Sequence, residues 1–452
     1  MRSAGVVRAR TTLFALTLLS SAVAVTLGAD AGSWPYWRGP TANGMAVGDA
    51  PLKWSDTENV RWKTAIPGKG NSSPVIWGDK IFLTTAIPTG VSAKTDAAAA
   101  PPAQEGRRGR SFGDTGPQPE QRFDVLCLDR NTGKVLWQKT AKVATPHEGY
   151  HGTYGSFASN SPVTDGKRVY AFFGSRGIYA YDLDGNLLWA KDFGPMRIKM
   201  AFGEGTAPVL HADRLILNFD HEGGSFLVML DAATGKEIWK VDRDEITSWA
   251  APLVVEYKGK QEIITAATKK VRSYDFATGN LVWECTGLGS NVIPQPVIQD
   301  DLVLVMSGHR DPKLMAIRLG REGDLTGTDA IVWSQTRGNS YTPSPVLHDN
   351  KLYVLTDNGF VSCYNASTGA PYYQQTRLPK AYNFKSSPVG ANGKLYLASE
   401  NDDVIVLGMG EKFEVLATNT IPDSVFIATP AIAGGEIFLR SQSHLYCISE
   451  KK

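Results

Sequence analysis

Leu230-Asp231-Ala232-Ala233-Thr234-Gly235-Lys236-Glu237-Ile238-Trp239 is the stretch that decides how this chain folds. An apolar strand ends in Asp, a Thr-Gly turn follows, and the next strand carries a Trp. Gly after Thr supplies the positive φ that a tight turn needs. The same pattern stands at Asp129 to Trp137 and at Asp275 to Trp283. Looser copies are Tyr181-Asp182 with Trp189, and Tyr364-Asn365 with Thr368-Gly369 and Tyr373; Trp333 holds the slot in another copy. Alternation and turn residues at these spacings predict strands and hairpins.

Moving outward, each copy is preceded by a second hairpin turn, such as Asp165-Gly166-Lys167, Asp349-Asn350-Lys351, Asn392-Gly393-Lys394 or Gly434-Gly435. Before that turn stands a Pro followed by an apolar or small residue. There are eight such steps: Pro74-Val75, Pro162-Val163, Pro208-Val209, Pro252-Leu253, Pro296-Val297, Pro345-Val346, Pro388-Val389 and Pro430-Ala431. Pro162 to Pro430 spans 268 residues in six intervals, about 45 each, the length of a four-stranded propeller blade. The eighth unit stops after three strands at Cys447-Ile448, and Asn59-Val60-Arg61-Trp62-Lys63 reads as the missing fourth. The expectation is an all-β fold, a single eight-bladed β-propeller over residues 30–452, closed by an N-terminal strand.

The chain has 452 residues, which at about 150 per domain would suggest three domains; the repeat replaces them with one ring. Lys+Arg exceed Asp+Glu by 47 to 45, so no global basic field draws the chain to nucleic acid. Arg2, Arg8 and Arg10 precede an apolar run from Leu13 to Leu27, with small residues at Gly28, Ala29 and Ala31. This reads as a signal peptide over residues 1–29, shorter than a spanning helix. A periplasmic or secreted monomer without a membrane anchor in its mature chain is expected. Residues 86–121, with Ala97 to Ala100, Pro101-Pro102 and Arg107-Arg108-Gly109-Arg110, read as a flexible insertion in the first blade.

Recurrence of Trp137, Trp189, Trp239, Trp283 and Trp333 at one position assigns them to packing between blades. Cys127, Cys363 and Cys447 fill a slot held elsewhere by Ala180, Ser273 and Ala316; with Cys285 they fall in four blades, so no disulfide is expected. The turns within each blade's two hairpins are short and generic on one rim. The loops between strands two and three, and the crossovers between blades, are individual and polar on the other. There lie His147, Glu148, His151, Arg176, Asp220, His221, Glu222, His309, Arg310, Asp311, Asp357, Asn358, Glu400, Asn401, Asp402 and Arg440, read together as a ligand-binding rim at the channel mouth. No catalytic residue and no metal site is assigned, and no phosphate loop or nucleophile elbow is present.

The repeated Asp-x-x-Thr-Gly-x-x-x-Trp resembles the pyrroloquinoline-quinone-like propeller repeat family. The opening Trp34-Pro35-Tyr36-Trp37-Arg38-Gly39-Pro40 resembles exported members from environmental bacteria. The resemblance implies one of two branches. Quinoprotein dehydrogenases hold pyrroloquinoline quinone (PQQ) and Ca²⁺ in the central funnel beside a disulfide of adjacent Cys. Non-enzymatic propellers, such as the outer-membrane assembly lipoprotein, bind partners. This chain has no Cys-Cys pair, and no Cys near the cleavage region to carry a lipid. An exported, non-catalytic propeller binding a protein or polymeric ligand on the polar rim is therefore expected, with no cofactor assigned. The alternative is a PQQ- and Ca-dependent oxidoreductase using Glu148, Asp220, Glu222, Asp311 and Asp402 on the rim. A lyase or hydrolase acting on saccharides is a third reading.

Overall fold

The computed structural model describes residues 31–91 and 118–450, with the backbone of Val23–Ala24. The expected signal peptide, apart from the backbone of Val23–Ala24, and the middle of the insertion thus lie outside the described residues. Eight four-stranded antiparallel blades form one ring, a β-propeller. Blade 1 comprises Val75–Trp77, Lys80–Pro88, Gln121–Asp129 and Val135–Ala144. Blade 3 comprises Val209–His211, Arg214–Phe219, Ser225–Asp231 and Glu237–Arg243. Blades 2 and 4 to 7 repeat the plan, beginning at Val163, Leu253, Val297, Val346 and Val389. Blade 4 also carries two-residue strands, Val23–Ala24 antiparallel to Leu253–Tyr257 and Gly323–Asp324 parallel to Leu281–Cys285.

Blade 8 has three strands of its own, Ala431–Ala433, Glu436–Arg440 and His444–Ile448. Val60–Ala65 supplies the fourth, pairing from Val60 opposite Ile448 to Ala65 opposite His444. This leaves no open edge at the seam. Glu436 clasps the same seam, accepting from Arg61 and, at 2.8 Å, from Arg130 Nε. In blade 1 the ladder runs unbroken from Lys80 opposite Asp129 to Pro88 opposite Gln121. Both ends of the expected insertion are therefore paired strand.

The Thr-Gly turns explain how blades lock. Asp231 Oδ1 accepts from Thr234 N at 2.9 Å and Thr234 Oγ1 at 2.7 Å, which folds the turn back. Gly235, at φ +70°, then lies flat on Trp189 of the preceding blade, where a Cβ would sit 2.6 Å from the ring. Trp189 Nε1 donates to Ala232 O at 3.1 Å. The same contact joins Trp62 to Arg130 O, Trp137 to Leu183 O, Trp239 to Phe276 O and Trp333 to Ala366 O. Each such bond contributes about 1 kcal/mol, in addition to the ring area it covers. Trp283 differs: it is fully buried and donates to Glu262 Oε2 at 3.2 Å within its own blade. The next blade continues as Arg318-Leu319-Gly320, without the Asp-x-x-Thr-Gly acceptor turn.

The core lies between neighbouring blades rather than at the ring's centre. Phe82, Phe123 and Val125 of blade 1, for example, pack on Val169, Tyr179 and Tyr181 of blade 2. The four Cys are buried and unpaired. Burial pushes the thiols of Cys127 and Cys363 up to about 12 and that of Cys285 to about 11, so none is poised as a thiolate.

Candidate functional site

The innermost strand of every blade enters through the repeat Pro, and the residues just before it line the central channel. Extended chain alternates its side chains, so the first and third residues before Pro share a face. The third residues, Asn71, Ser159, Gly205, Trp249, Ile293, Thr342, Lys385 and Ile427, form an upper tier of the channel wall. The residues immediately before Pro form a lower tier of Ser73, Ser161, Ala207, Ala251, Ser344, Ser387 and Thr429. Gln295 is the eighth member of that register. Trp37, Tyr154, Phe202, Glu204 and Tyr341 complete a cavity of about 220 Å³.

The lower tier is tied into a chain of hydrogen bonds running round the axis. Gln295 N donates to Ser344 Oγ at 2.9 Å, Ser344 N to Ser387 Oγ at 2.9 Å, and Ser387 N to Thr429 Oγ1 at 3.0 Å. Thr429 N donates to Ser73 Oγ at 3.1 Å and Ser73 N to Ser161 Oγ at 2.8 Å. Ala207 and Ala251 interrupt the circle in blades 3 and 4. Each linking hydroxyl accepts from a neighbouring backbone, and its own hydrogen has no acceptor among the described residues.

Among the described residues, the channel is closed at one end and open at the other. Trp34 N bonds to Ile76 O in blade 1, and Pro35 O accepts from Thr164 N in blade 2. Tyr36 OH then donates to Gln295 Oε1 at 2.9 Å, and Arg38 donates to Pro345 O and Pro388 O at 2.5 and 2.8 Å. Gly44 and Ala46 bond the backbone of Gly390. The segment Trp34 to Ala46 thus runs from blades 1 and 2 to blades 5, 6 and 7, on the far side of the ring. It crosses the mouth on the generic-turn rim, and Trp37 forms the cavity floor. Arg38 is wholly buried among carbonyls, and desolvation lowers its guanidinium to about 9.

On the polar rim, several expected residues converge on the open mouth through intermediaries. Lys385 lies 3.3 Å from Asp357 Oδ1, 3.5 Å from Glu400 Oε1 and 4.9 Å above the Tyr154 ring. Asp357 also accepts from Tyr341 N and Thr342 N, both at 3.0 Å. His151 stacks on Tyr154 at 3.7 Å, and His309 lies 5.0 Å from the Tyr341 ring. Glu148 and Arg176 line a small cavity behind Gly203 and Glu204. There Glu148 accepts from Ile198 N at 2.8 Å, and burial beside Glu204 raises its carboxyl to about 7. Glu204 itself accepts from Ser175 N at 2.6 Å and from Ser175 Oγ, and burial raises it too. His147 Nε2 bonds Met196 O at 2.6 Å and faces Arg176 through Nδ1 at 3.1 Å.

Other members of the expected rim hold the fold instead. Asp220 is a correction: its side chain is fully buried in a bidentate pair with Arg243, at 2.8 and 3.1 Å, between blades 3 and 4. Arg440 is a second: only 2% exposed, it donates to Ser72 O and Thr84 O at 2.9 Å, fastening blade 8 to blade 1. Both fail as mouth residues because an ionic side chain flanked by two packed blades must be paired inside the protein. His221 Nδ1 accepts from Arg197 N and Gly223 N, and Glu222 accepts from Thr247 Oγ1 at 2.7 Å. Asn358 accepts from Thr356 Oγ1, Asn401 from Asn383 N, and Asp402 from Ser424 N. Arg310 and Asp311 are exposed loop residues at φ 45° and 54°.

Trp37, Tyr154, Phe202, Glu204, Trp249, Tyr341 and Lys385 were not singled out from sequence. For Trp249 and Lys385 the signal existed in the two-residue alternation before each repeat Pro.

The donor set does not fit PQQ held by calcium. Calcium takes about six to eight oxygen ligands, carboxylates prominent among them. The cavity wall offers one carboxylate, Glu204, already turned to Ser175. Among the described residues no three His, Cys, Asp or Glu side chains gather closely enough to hold a metal ion. The rim carboxylates proposed for it, Glu148, Asp220, Glu222, Asp311 and Asp402, come from four separate loops, and Asp220 is sealed against Arg243.

Comparison with known proteins agrees with the repeat resemblance. The family model described as outer membrane protein assembly factor BamB matches residues 121–227 and 321–411. The outer membrane protein assembly factor BamB of Yersinia pestis is 19% identical over 341 residues, 71% of this chain and 78% of that protein. Among solved structures, BamB from Moraxella catarrhalis matches with TM-score 0.54 and 12% identity over 85% of this chain and 98% of its own. A europium-containing methanol dehydrogenase matches with TM-score 0.63 and 10% identity, over 93% and 98%. The quinohemoprotein alcohol dehydrogenase of Comamonas testosteroni matches with TM-score 0.58 and 8% identity, over 95% and 84%. At these identities the solved structures show a shared fold.

Proposed function

We infer that this pyrroloquinoline-quinone-like repeat propeller is an exported, non-catalytic binding protein. It takes a protein or polymeric ligand on the polar rim around the open channel mouth. One observation carries the reading: the chain blocks its own channel at one end with Trp34 to Ala46 and leaves an aromatic, polar-rimmed mouth at the other. The rim's ionisable groups support it, because they brace loops rather than converge on a reacting atom. Similarity to an outer membrane protein assembly factor favours a partner of the cell envelope.

The test places a photo-reactive amino acid in the full chain, expressed with its own leader. Adducts from Tyr341 and His309, with none from His211 or His348 on the opposite rim, are expected. Equal labelling from both rims would refute the assignment. The quinone reading is tested separately by adding PQQ and Ca²⁺ and following absorbance, melting temperature and dye-linked alcohol oxidation. Saturable binding with oxidation would replace the non-catalytic reading.

A further inference from the structure

We propose that the blind channel is a saccharide-binding well that accepts one end of a neutral glycan chain. This rests on the reading that the open mouth is the ligand face. Four features of the well select that chemistry.

First, the well is closed at its base by Trp37 and the segment around it, so a ligand cannot thread through the ring. Only a chain end enters. The two tiers are two strand residues apart, about 7 Å, which matches the depth of a single sugar ring.

Second, the lower tier presents hydroxyl hydrogens from Ser73, Ser161, Ser344, Ser387 and Thr429, all under 10% exposed and without acceptors in the described chain. They call for a ligand rich in acceptor oxygens. A chain end that is purely apolar, or that ends in an ammonium group, leaves these donors unmatched.

Third, the charge at the mouth opposes an anionic end. Asp357 and Glu400 set two carboxylates against the one ammonium of Lys385 that they share, while Lys199 is turned to Asn291 Oδ1 at 3.0 Å. A carboxylate descending past them would be repelled, whereas sugar hydroxyls donate to carboxylates and accept from hydroxyls.

Fourth, Trp249, Phe202 and Tyr154 give the well aromatic walls above the Trp37 floor. Trp249 is held by Nε1 donating to Gly203 O at 2.8 Å, His151 stacks on Tyr154 at 3.7 Å, and its ring lies tilted 5.6 Å from that of Phe202. Fixed ring faces beside hydroxyl donors suit the alternating C–H faces and O–H edges of a pyranose. The apolar gap at Ala207 and Ala251 leaves room beside Trp249 for such a ring.

The experiment titrates the full mature chain with maltohexaose, cellohexaose, chitohexaose and xylohexaose, read by tryptophan fluorescence and calorimetry. Oligogalacturonate and an unstructured peptide serve as charged and polypeptide probes. At least one neutral hexaose should saturate the protein. Its affinity should fall at least tenfold in Trp249→Ala and in Ala251→Leu, and remain unchanged in His211→Ala on the opposite rim. A tag at one end of the glycan should be tolerated, and tags at both ends should abolish binding. Each variant is read only where its melting curve matches the parent. Ala251→Leu leaves every lower-tier hydrogen bond in place, so one informative variant remains if Trp249→Ala unfolds. The proposal is overturned if no neutral hexaose binds up to about 10 mM, if both variants bind normally, if doubly tagged glycan still binds, or if only the peptide or the oligogalacturonate binds. Failure of all glycans with rim-specific photo-adducts intact removes this inference alone; loss of both removes the reading beneath it.

Discussion

Replacing Asp220 by Ala would leave the Arg243 guanidinium buried without its direct counter-ion. Both side chains are fully excluded from solvent, and two hydrogen bonds of 2.8 and 3.1 Å join them. Unit charges about 4 Å apart attract by about 4 kcal/mol at the effective dielectric of a protein, and breaking a buried pair costs about 3–5 kcal/mol. Arg243 Nη1 keeps Thr265 Oγ1 and Tyr274 OH, both at 2.8 Å, and Glu245 adds a longer-range attraction. These partners put the expected loss near the low end, about 3 kcal/mol. Arg243→Met alone should cost a similar amount, because it strands the Asp220 carboxylate with Asn218 as its remaining partner. Asp220→Ala combined with Arg243→Met should cost markedly less than the sum of the two, by about 2 kcal/mol or more. Equilibrium urea unfolding, followed by circular dichroism and fluorescence with coincident transitions, measures all three. A loss under about 1 kcal/mol for Asp220→Ala, or simple additivity in the double variant, would refute the clasp. Loss of ligand binding with unchanged stability would return Asp220 to the rim.

Three further outcomes are expected. Gly235→Ala should destabilise more than Gly259→Ala: both sit at left-handed φ, +70° and +75°, but only the former drives a Cβ to 2.6 Å from a Trp ring, while nothing lies within 4 Å of the latter. The strain common to both is about 1 kcal/mol, and a thermal or urea melt of the pair isolates the clash. Glu148, raised by burial to about 7, binds its proton more tightly folded than unfolded, so its contribution to stability is complete below about pH 4.5 and lost as pH rises through 7. Glu148→Gln should flatten that decline in a series of melts from pH 4.5 to 8. Deleting residues 31–63 removes both the channel plug and the closing strand of blade 8; limited proteolysis should then cut first at blade 8, and a truncated ring as resistant as the parent would contradict seam closure.

The blades were legible because their determinants are local. Thr234-Gly235 and Trp189 announce themselves within a repeat of about 45 residues, and eight repeats in register define a ring. Which loops share a rim also follows from strand order. Within a rim, however, Asp220 and Asp357 look alike in sequence. One is sealed against Arg243 by the next blade, and the other caps Tyr341 N at the mouth.

By itself, then, the sequence determined the fold class, the blade count, the N-terminal closure and the division into a generic and an individual rim. All of these rest on period-two alternation and turn chemistry within short windows. The tertiary structure alone decided that Trp34 to Ala46 stops one end of the channel, that an arc of five hydroxyls lines it, and that Glu204 and Trp249 line the cavity. Those contacts join residues as far apart as Arg38 and Pro388, 350 positions along the chain. Only closure of the ring brings them together, because a channel belongs to no single repeat: every blade contributes to its wall, and the geometry of all eight chooses which residues survive as an open surface.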